Sequence, residues 1–208
     1  LFRSITGKKQ TWKIAAYAFS NWAPMIILAT LWGDAFLVEK LGITTASAAK
    51  IIQFLWIGLS LGSFSYGAIA KTHTAQKRCM LLSAILGVVA SLIFIYSDAL
   101  PIVGFYALST LIGIASAGQI LSFSMVKQIN SDELVGTAVG FNNMSVVAGG
   151  LILQPIVSEL LQAFWDGKII ENAPHYSLYA FKASLIIVPI CYISSMIISL
   201  FLGNKDAT

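Results

Sequence analysis

The chain has 208 residues, of which 57% are hydrophobic and only 11% are charged. Soluble domains average about 25% charged residues, so this composition excludes an ordinary soluble domain and predicts a membrane protein in contact with a lipid bilayer. Two cysteines, Cys79 and Cys191, are too few for a disulfide framework. The net charge of +4 is spread along the chain in a way that predicts membrane topology and no nucleic-acid partner.

Six segments are apolar over a length that can cross a hydrocarbon core, which takes about 20 helical residues. The predicted spans lie at about 12–38, 46–70, 79–96, 101–126, 134–163 and 176–202. Pro24 falls inside the first of these spans and predicts a kink or a loosened turn there, and Pro189 falls inside the last. Residues 1–11 are expected to be a cytoplasmic linker within a longer protein, and 203–208 a cytoplasmic tail. The predicted fold class is an all-α membrane protein.

The basic residues predict the orientation of this bundle. Six spans place both termini on one side of the membrane, and loops on the cytoplasmic side carry an excess of Lys and Arg. Nine basic residues fall on the terminal side: Arg3, Lys8, Lys9, Lys13, Lys71, Lys77, Arg78, Lys127 and Lys205. Four fall on the other side: Lys40, Lys50, Lys168 and Lys182. We therefore expect both termini in the cytoplasm.

The second and fifth predicted spans carry similar segments. Phe54–Gly62 reads FLWIGLSLG, and Phe141–Gly149 reads FNNMSVVAG, so both run from Phe to Gly over the same interval. Three spans per unit would insert the second unit upside down relative to the first. The pattern predicts a 3+3 inverted repeat, which is typical of secondary transporters.

The fifth predicted span combines small residues with amides. A helix that faced only lipid would be rich in Leu, whereas small residues allow close helix packing and amides need polar partners. Asn142 and Asn143 are adjacent, so at most one of them faces a cavity centre. Hydrogen bonds between helices would explain these amides as well as a bound solute would.

Two helical stripes combine aromatic rings with polar groups. The first span contributes Tyr17, Asn21 and Trp32, and the fourth contributes Tyr106, Thr110 and Ser116. Together the stripes predict a wet cavity that binds a small polar solute. For any single Ser or Thr, a hydrogen bond to its own helix is the alternative.

Four glycines predict close helix–helix interfaces: Gly58, Gly62, Gly149 and Gly150. They form either a surface on which two halves of a larger protein slide, or static packing. The sequence shows no catalytic signature, cofactor motif or metal-ligand cluster. His73 and His175 fall on opposite sides of the predicted membrane and cannot share a metal or a catalytic dyad. Lys182 is expected to snorkel to the interface or to pair with an acidic group or a solute anion.

Three segments resemble one known family. Leu31–Ala70, Gly136–Pro155 and His175–Leu185 are similar to helices of the C-terminal half, helices seven to twelve, of a major facilitator superfamily transporter. The resemblance is to bacterial metabolite:proton symporters, including the phagosomal transporter type. The family's cytoplasmic motif is degraded here: Gly67 matches it, but Lys71 stands where the family has an Asp.

The resemblance implies one half of a secondary transporter in the bacterial inner membrane. Its partners would be lipid, an N-terminal six-helix half and a small solute such as an amino acid, short peptide or organic acid. The first and fourth spans would line the solute site, and the second and fifth would form the interface with the other half. That other half would carry the proton-coupling acids. The alternative is a six-span receptor or assembly subunit without transport; an intramembrane hydrolase and a channel are less favoured.

Overall fold

A computed structural model describes residues 2–170 and 172–203 and confirms the all-α six-helix prediction. Six helical segments have the length and composition to cross a membrane, and we call them spans 1 to 6. They are Lys9–Leu41, Thr45–Ile69, His73–Tyr96, Ile102–Gln128, Asp132–Ala163 and Leu178–Leu200. A two-stranded antiparallel hairpin, β1 (Ile169–Ile170) and β2 (Ala173–Pro174), lies in the connection between spans 5 and 6.

Hydroxyl caps fix where three of the spans begin. The side chains of Thr44, Thr72 and Ser177 accept hydrogen bonds from the backbone N–H groups of the first turns of spans 2, 3 and 6. Span 3 therefore starts at His73, six residues before the predicted start, because its polar first turns are already helical. Span 1 ends at Leu41, where Gly42 takes up the left-handed conformation that closes a helix.

The segment expected to be a linker packs on the bundle. Phe2–Thr6 form a short helix, Ile5 is fully buried, and span 1 begins at Lys9. The expected tail lies mostly at 204–208, outside the described residues, and so does Lys205, one of the nine basic residues on the terminal side.

Three spans are interrupted, although not all at the predicted places. Span 1 continues as α-helix through Pro24 and widens into a π-helical turn at Leu28–Trp32. Span 4 tightens into a 3₁₀ turn at Ala117–Gln119. Span 6 breaks before Pro189, because proline has no N–H to donate to the carbonyl of Leu185. The kink predicted at Pro24 is thus displaced by one turn.

The packing of the spans fits the predicted inverted repeat. Span 2 packs on span 4, span 5 packs on span 1, and span 3 packs on span 6. The last part of span 1 packs against span 2, and the last part of span 4 packs against span 5. Exchanging span 1 with 4, 2 with 5 and 3 with 6 reproduces this set of contacts, as two equivalent three-helix units require.

Glycines bring the backbones of spans 2 and 4 into contact. A methyl group added at Gly58 would overlap the carbonyl oxygen of Thr110, and one added at Gly113 would overlap that of Leu55. Side chains at either position would therefore hold the two helices apart. This contact sets the distance between the two three-helix units.

The other interface glycines also face helices of the same bundle. A methyl group at Gly62 would lie 2.7 Å from Cβ of Ala117 in span 4. One at Gly149 would lie 2.8 Å from the carbonyl oxygen of Phe19, and one at Gly150 would lie 2.6 Å from Cγ2 of Ile26, both in span 1. These contacts are those of the static-packing alternative, and sliding against another half stays a prediction. The glycine faces are packing surfaces inside this bundle.

A charged cluster ties the helix ends together at the end of the bundle opposite the chain termini, which we call the opposite end. The Lys40 ammonium donates to the carbonyls of Phe94 and Ile95, at 3.2 and 2.7 Å, and its side chain is 3% exposed. Lys182 does pair with an acidic group: its ammonium lies 2.6 Å from Asp98 Oδ1. This hydrogen bond lowers the pKa of Asp98 below its ordinary value.

Gly58→Ala should destabilise the bundle by roughly 1–3 kcal/mol, because the added methyl group forces spans 2 and 4 apart. The apparent unfolding temperature of the purified protein in detergent measures this loss. Gly140→Ala is the matched control, because Gly140 lies in span 5 with no atom within 4 Å of the added methyl group. Equal unfolding temperatures for the two variants would contradict the backbone contact.

Lys40→Met should destabilise the bundle by about 1–3 kcal/mol, because it leaves two buried carbonyl groups at the end of span 3 without their donor. Lys50→Met removes the same charge from an exposed position of span 2 and should have little effect. The same unfolding measurement compares the two. A neutral Lys40→Met variant would show that the ammonium contributes nothing to joining spans 1 and 3.

Candidate functional site

Two of the predicted solute-binding residues form hydrogen bonds inside the bundle. The Tyr17 hydroxyl is fully buried and lies 3.1 Å from the Met80 carbonyl oxygen, to which it donates, and 3.0 Å from Ser83 Oγ. Ser116 Oγ lies 2.7 Å from the Tyr192 hydroxyl. These contacts join spans 1 and 4 to spans 3 and 6. Solute binding at Tyr17 and Ser116 stays a prediction.

The span 4 residues Tyr106 and Thr110 lie half-buried beside span 2. The Tyr106 ring meets the Phe54 ring edge-on, with centroids 4.8 Å apart. The Thr110 hydroxyl donates to the Tyr106 carbonyl at 2.9 Å, which is the hydrogen bond to its own helix left open as an alternative. Neither residue lines the two cavities of span 1 described below, and neither do Asn21 and Trp32.

The asparagines separate into buried and exposed positions. Asn142 is fully buried and donates to Ser122 Oγ at 2.8 Å, whereas its neighbour Asn143 is exposed. Asn21 is also fully buried, and neither of its amide atoms has a hydrogen-bond partner among the described residues. An amide without a partner in an apolar interior costs several kcal/mol, so Asn21 is available to a polar group that enters the bundle.

A polar groove opens between spans 1 and 2 on the surface of the bundle. Its polar lining is Thr30 and Asp34 from span 1 with Gln53 and Trp56 from span 2, around a cavity of about 170 Å³. We call this cavity the polar groove. It brings together a hydroxyl, a carboxylate, an amide and an indole ring at a depth where lipid would otherwise meet the helices.

The π-helical turn positions the span 1 side of the polar groove. The Gly33 N–H bonds to the Leu28 carbonyl five residues earlier, and a methyl group at Gly33 would overlap that oxygen. Glycine at this position allows the wide turn. The Thr30 hydroxyl donates to the Ile26 carbonyl at 2.7 Å and accepts from Gln154 of span 5 at 2.8 Å. Span 5 thereby holds the turn in place. π-turns in helices are often found at functional sites.

A second cavity lies directly beyond the polar groove at the opposite end. It has a volume of about 310 Å³, and its lining includes Asp34, Glu39, His175 and Tyr176. We call it the outer cavity. His175 Nε2 lies 3.0 Å from Glu39 Oε2, so the connection between spans 5 and 6 is tied to the end of span 1. Asp34 lines both cavities and joins them.

The candidate list from the sequence did not include Thr30, Asp34, Gln53 or Gln154. Of its members, Trp32 lies nearest the polar groove, half-buried within the π-helical turn. A signal was present in the spacing of Thr30 and Asp34, because residues four apart lie on one face of a helix. The helical stripe through Tyr17 and Asn21 did not reach them because the π turn changes the phase of the helix.

The interruptions of spans 1 and 4 occur in corresponding places. The π turn of span 1 lies about ten residues before Leu41, and the 3₁₀ turn of span 4 lies about ten residues before Gln128. The 3₁₀ turn holds Gly118, where a methyl group would overlap Ser83 Oγ. Interrupted helices at matching positions of two repeats are the strongest pointer to a transporter's binding region.

The exposed surface of the bundle differs from side to side. The exposed residues in the middle of spans 3 and 6 are all apolar: Leu82, Ile85, Val89, Leu92, Ile93, Ile186, Ile190, Ile193 and Ile197. Those of spans 2 and 5 include polar and small residues: Gln53, Ser60, Ser65, Gly140 and Asn143. The first surface suits lipid tails. The second suits another polar or protein surface.

The described residues contain no group of three or more metal-ligating side chains. No protein-family model and no curated protein matches the chain. The solved structures that are similar to it include two membrane transporters. One is the major facilitator superfamily proton:xylose symporter XylE bound to 6-bromo-6-deoxy-D-glucose, with a TM-score of 0.68 and 12% identity, covering 92% of this chain and 44% of the symporter.

The other is a bacterial homologue of the human lysosomal transporter Spinster, in an inward-facing and occupied conformation. Its TM-score is 0.58 at 13% identity, covering 95% of this chain and 50% of that chain. This chain spans about half the length of both structures. It has the fold of one six-helix half of a major facilitator superfamily transporter.

Proposed function

We propose that the chain is the C-terminal half of a secondary active transporter that moves a small polar metabolite across the bacterial inner membrane by alternating access. The observation that carries this proposal is the division of the exposed surface. Spans 3 and 6 expose only apolar residues in their middle, whereas spans 2 and 5 expose the amides of Gln53 and Asn143. The middle of spans 3 and 6 thus exposes apolar side chains alone, whereas spans 2 and 5 expose polar side chains among apolar ones such as Phe64 and Leu151.

The exposed amides argue for a second half beside spans 2 and 5. An amide facing hydrocarbon lacks hydrogen-bond partners and costs several kcal/mol, so both side chains need a protein partner or a water-filled path. The proposed partner is an N-terminal six-helix half. The similarity to about half of each solved transporter supports this arrangement.

The helix interruptions support alternating access at this side of the bundle. Spans 1 and 4 change their helical winding at matching positions, and the polar groove lies beside the interruption in span 1. Such turns let part of a span move without breaking its backbone hydrogen bonds throughout. The glycines of spans 2 and 5 hold this half together, so the proposed movement takes place between halves.

Proton coupling is assigned in this proposal to the other half. In the described residues of the six spans, acidic side chains occur in the last part of span 1, at Asp34 and Glu39, and near the two ends of span 5, so the middle of each span has none. Both termini are proposed to be cytoplasmic, from the excess of basic residues on the terminal side. We do not propose an enzyme. Among the described residues, the buried hydroxyls of Tyr17, Ser116 and Ser122 are hydrogen-bonded to a carbonyl group, another hydroxyl and an amide.

The full-length protein should take up its solute when reconstituted in liposomes, whereas this chain alone should not, because half of the solute path would be missing. A screen of metabolites by thermal shift on the full-length protein first identifies solutes that stabilise it. Uptake of the labelled solute is then measured for both proteins. Stabilisation of the full-length protein without any flux would favour the receptor alternative, and flux through this chain alone would contradict the half-transporter.

The two adjacent asparagines should separate stability from transport. Asn142→Ala should lower the unfolding temperature, with a loss of about 1–3 kcal/mol, because it removes a buried hydrogen bond to Ser122. Asn143→Ala should leave the unfolding temperature unchanged and reduce solute uptake by the full-length protein, because its amide is exposed on the proposed solute side. Uptake at the wild-type rate and affinity by Asn143→Ala would remove this residue from the site.

A further inference from the structure

We propose that the polar groove and the outer cavity together form a binding site for a protonated amine, with Asp34 as the carboxylate that receives it. This inference rests on the proposed transport function and names its solute class: small organic ammonium ions and zwitterions with a free amine, in preference to organic acids. The polar groove would hold the ammonium group, and the outer cavity would hold the rest of the solute.

Asp34 carries a charge that no neighbouring cation balances. Its Oδ1 accepts a hydrogen bond from the N–H of the next residue, Ala35, at 2.9 Å. Within 2–170 and 172–203, no basic group lies within 4.0 Å of its carboxylate. By contrast, the neighbouring acids Glu39 and Asp98 are paired with His175 and Lys182 at 3.0 and 2.6 Å.

An unpaired carboxylate at the position of Asp34 is energetically unfavourable. Asp34 is half-buried and lies seven residues before the end of span 1, which is about 10 Å along the helix. A carboxylate at that depth of a membrane helix is costly and is usually paired with a cation or placed in a cavity on the solute path. Asp34 lies in such a cavity, so its missing cation is best supplied by the solute.

The other groups of the polar groove fit an ammonium ion. The Gln53 side chain is exposed to the groove and can accept a hydrogen bond through its carbonyl oxygen. Trp56 also lines the groove and is 43% exposed, and an indole ring can bind a cation over its face. The Thr30 hydroxyl already donates to the Ile26 carbonyl and accepts from Gln154, so its role is to hold the π turn in place.

Among the described residues, neither cavity is lined by an unpaired cation that could meet a solute carboxylate. The basic group lining the outer cavity is His175, which is paired with Glu39. Lys40, the nearest lysine along span 1, points into the bundle and donates to the carbonyls at the end of span 3. Lys182 is paired with Asp98. Lys50 is exposed on span 2, one turn before Gln53, but it does not line either cavity. An organic anion in either cavity would therefore meet the Asp34 carboxylate with no unpaired cation in the described lining.

A thiol placed in the polar groove tests the inference without knowledge of the natural solute. Gln53→Cys is made in full-length protein whose native cysteines, Cys79 and Cys191 among them, are replaced by alanine. It is labelled in membranes with two methanethiosulfonates of similar size, the cationic aminoethyl reagent and the anionic sulfonatoethyl reagent. The ratio of their rates measures the local preference for a cation. Propylammonium and propionate are then compared as protecting ligands.

Adding Asp34→Asn to this protein should lower the cation-to-anion rate ratio about tenfold, because a charge in a cleft concentrates counter-ions. Propylammonium should protect the thiol, propionate should not, and the protection should be lost with Asp34→Asn and partly kept with Asp34→Glu. Asp166→Asn removes the same charge from the span 5–6 connection, outside both cavities, and should change neither result.

An unchanged rate ratio in Asp34→Asn, protection by propionate, or no protection by propylammonium would overturn the amine site. Unfolding temperatures of all variants show whether a loss reflects misfolding, and Asp34→Glu provides a second test if Asp34→Asn does not fold. Uptake by the full-length protein is measured separately. Amine protection without flux of any solute would refute transport but support the amine site. Flux without amine protection would support transport and refute the amine site.

Discussion

The backbones of spans 2 and 4 touch at Gly58 and Gly113, and the arrangement of the other helices follows from this contact. In a bilayer, helices gain little from burying apolar surface, because lipid tails are as apolar as leucine side chains. Close van der Waals contact between backbones is what holds them together. Span 5 repeats the contact on span 1 through Gly149. Two such contacts, related by the exchange of the three-helix units, fix the orientation of four spans.

Close packing of those four spans determines where polar groups can lie. The hydroxyls of Tyr17 and Ser116 are turned toward spans 3 and 6 and form hydrogen bonds there. Gln53 and Asn143, by contrast, are exposed on the outer side of spans 2 and 5. The side of the helix on which a polar residue lies therefore decides whether it stabilises the bundle or is available to a solute. The type of residue does not decide this.

The sequence alone could not tell these two kinds of polar residue apart. The number of spans, their approximate limits and the family resemblance could be predicted because length and hydropathy suffice for them. The stripe through Tyr17 and the glycines at Gly58 and Gly149 were recognised as special faces, but helical periodicity does not say which neighbour a face meets. Small residues and hydroxyls occur together on packing faces because close approach and interhelical hydrogen bonding require both. The same composition would suit a wet cavity.

The polar groove could not be located from the sequence for a different reason. The winding of span 1 changes beside the groove, and this change sets the position of the groove. A π turn contains one extra residue, and one residue corresponds to about 100° of rotation around a helix. The turn at Leu28–Trp32 therefore rotates the last part of span 1 relative to the stripe that carries Tyr17 and Asn21. In the structure, Thr30 and Asp34 line one cavity with Gln53 and Trp56. Gly33, which has no side chain, permits the π turn, and the hydrogen bond from Gln154 of span 5 to Thr30 holds the turn in place. Together these two residues place the Asp34 carboxylate in a cavity.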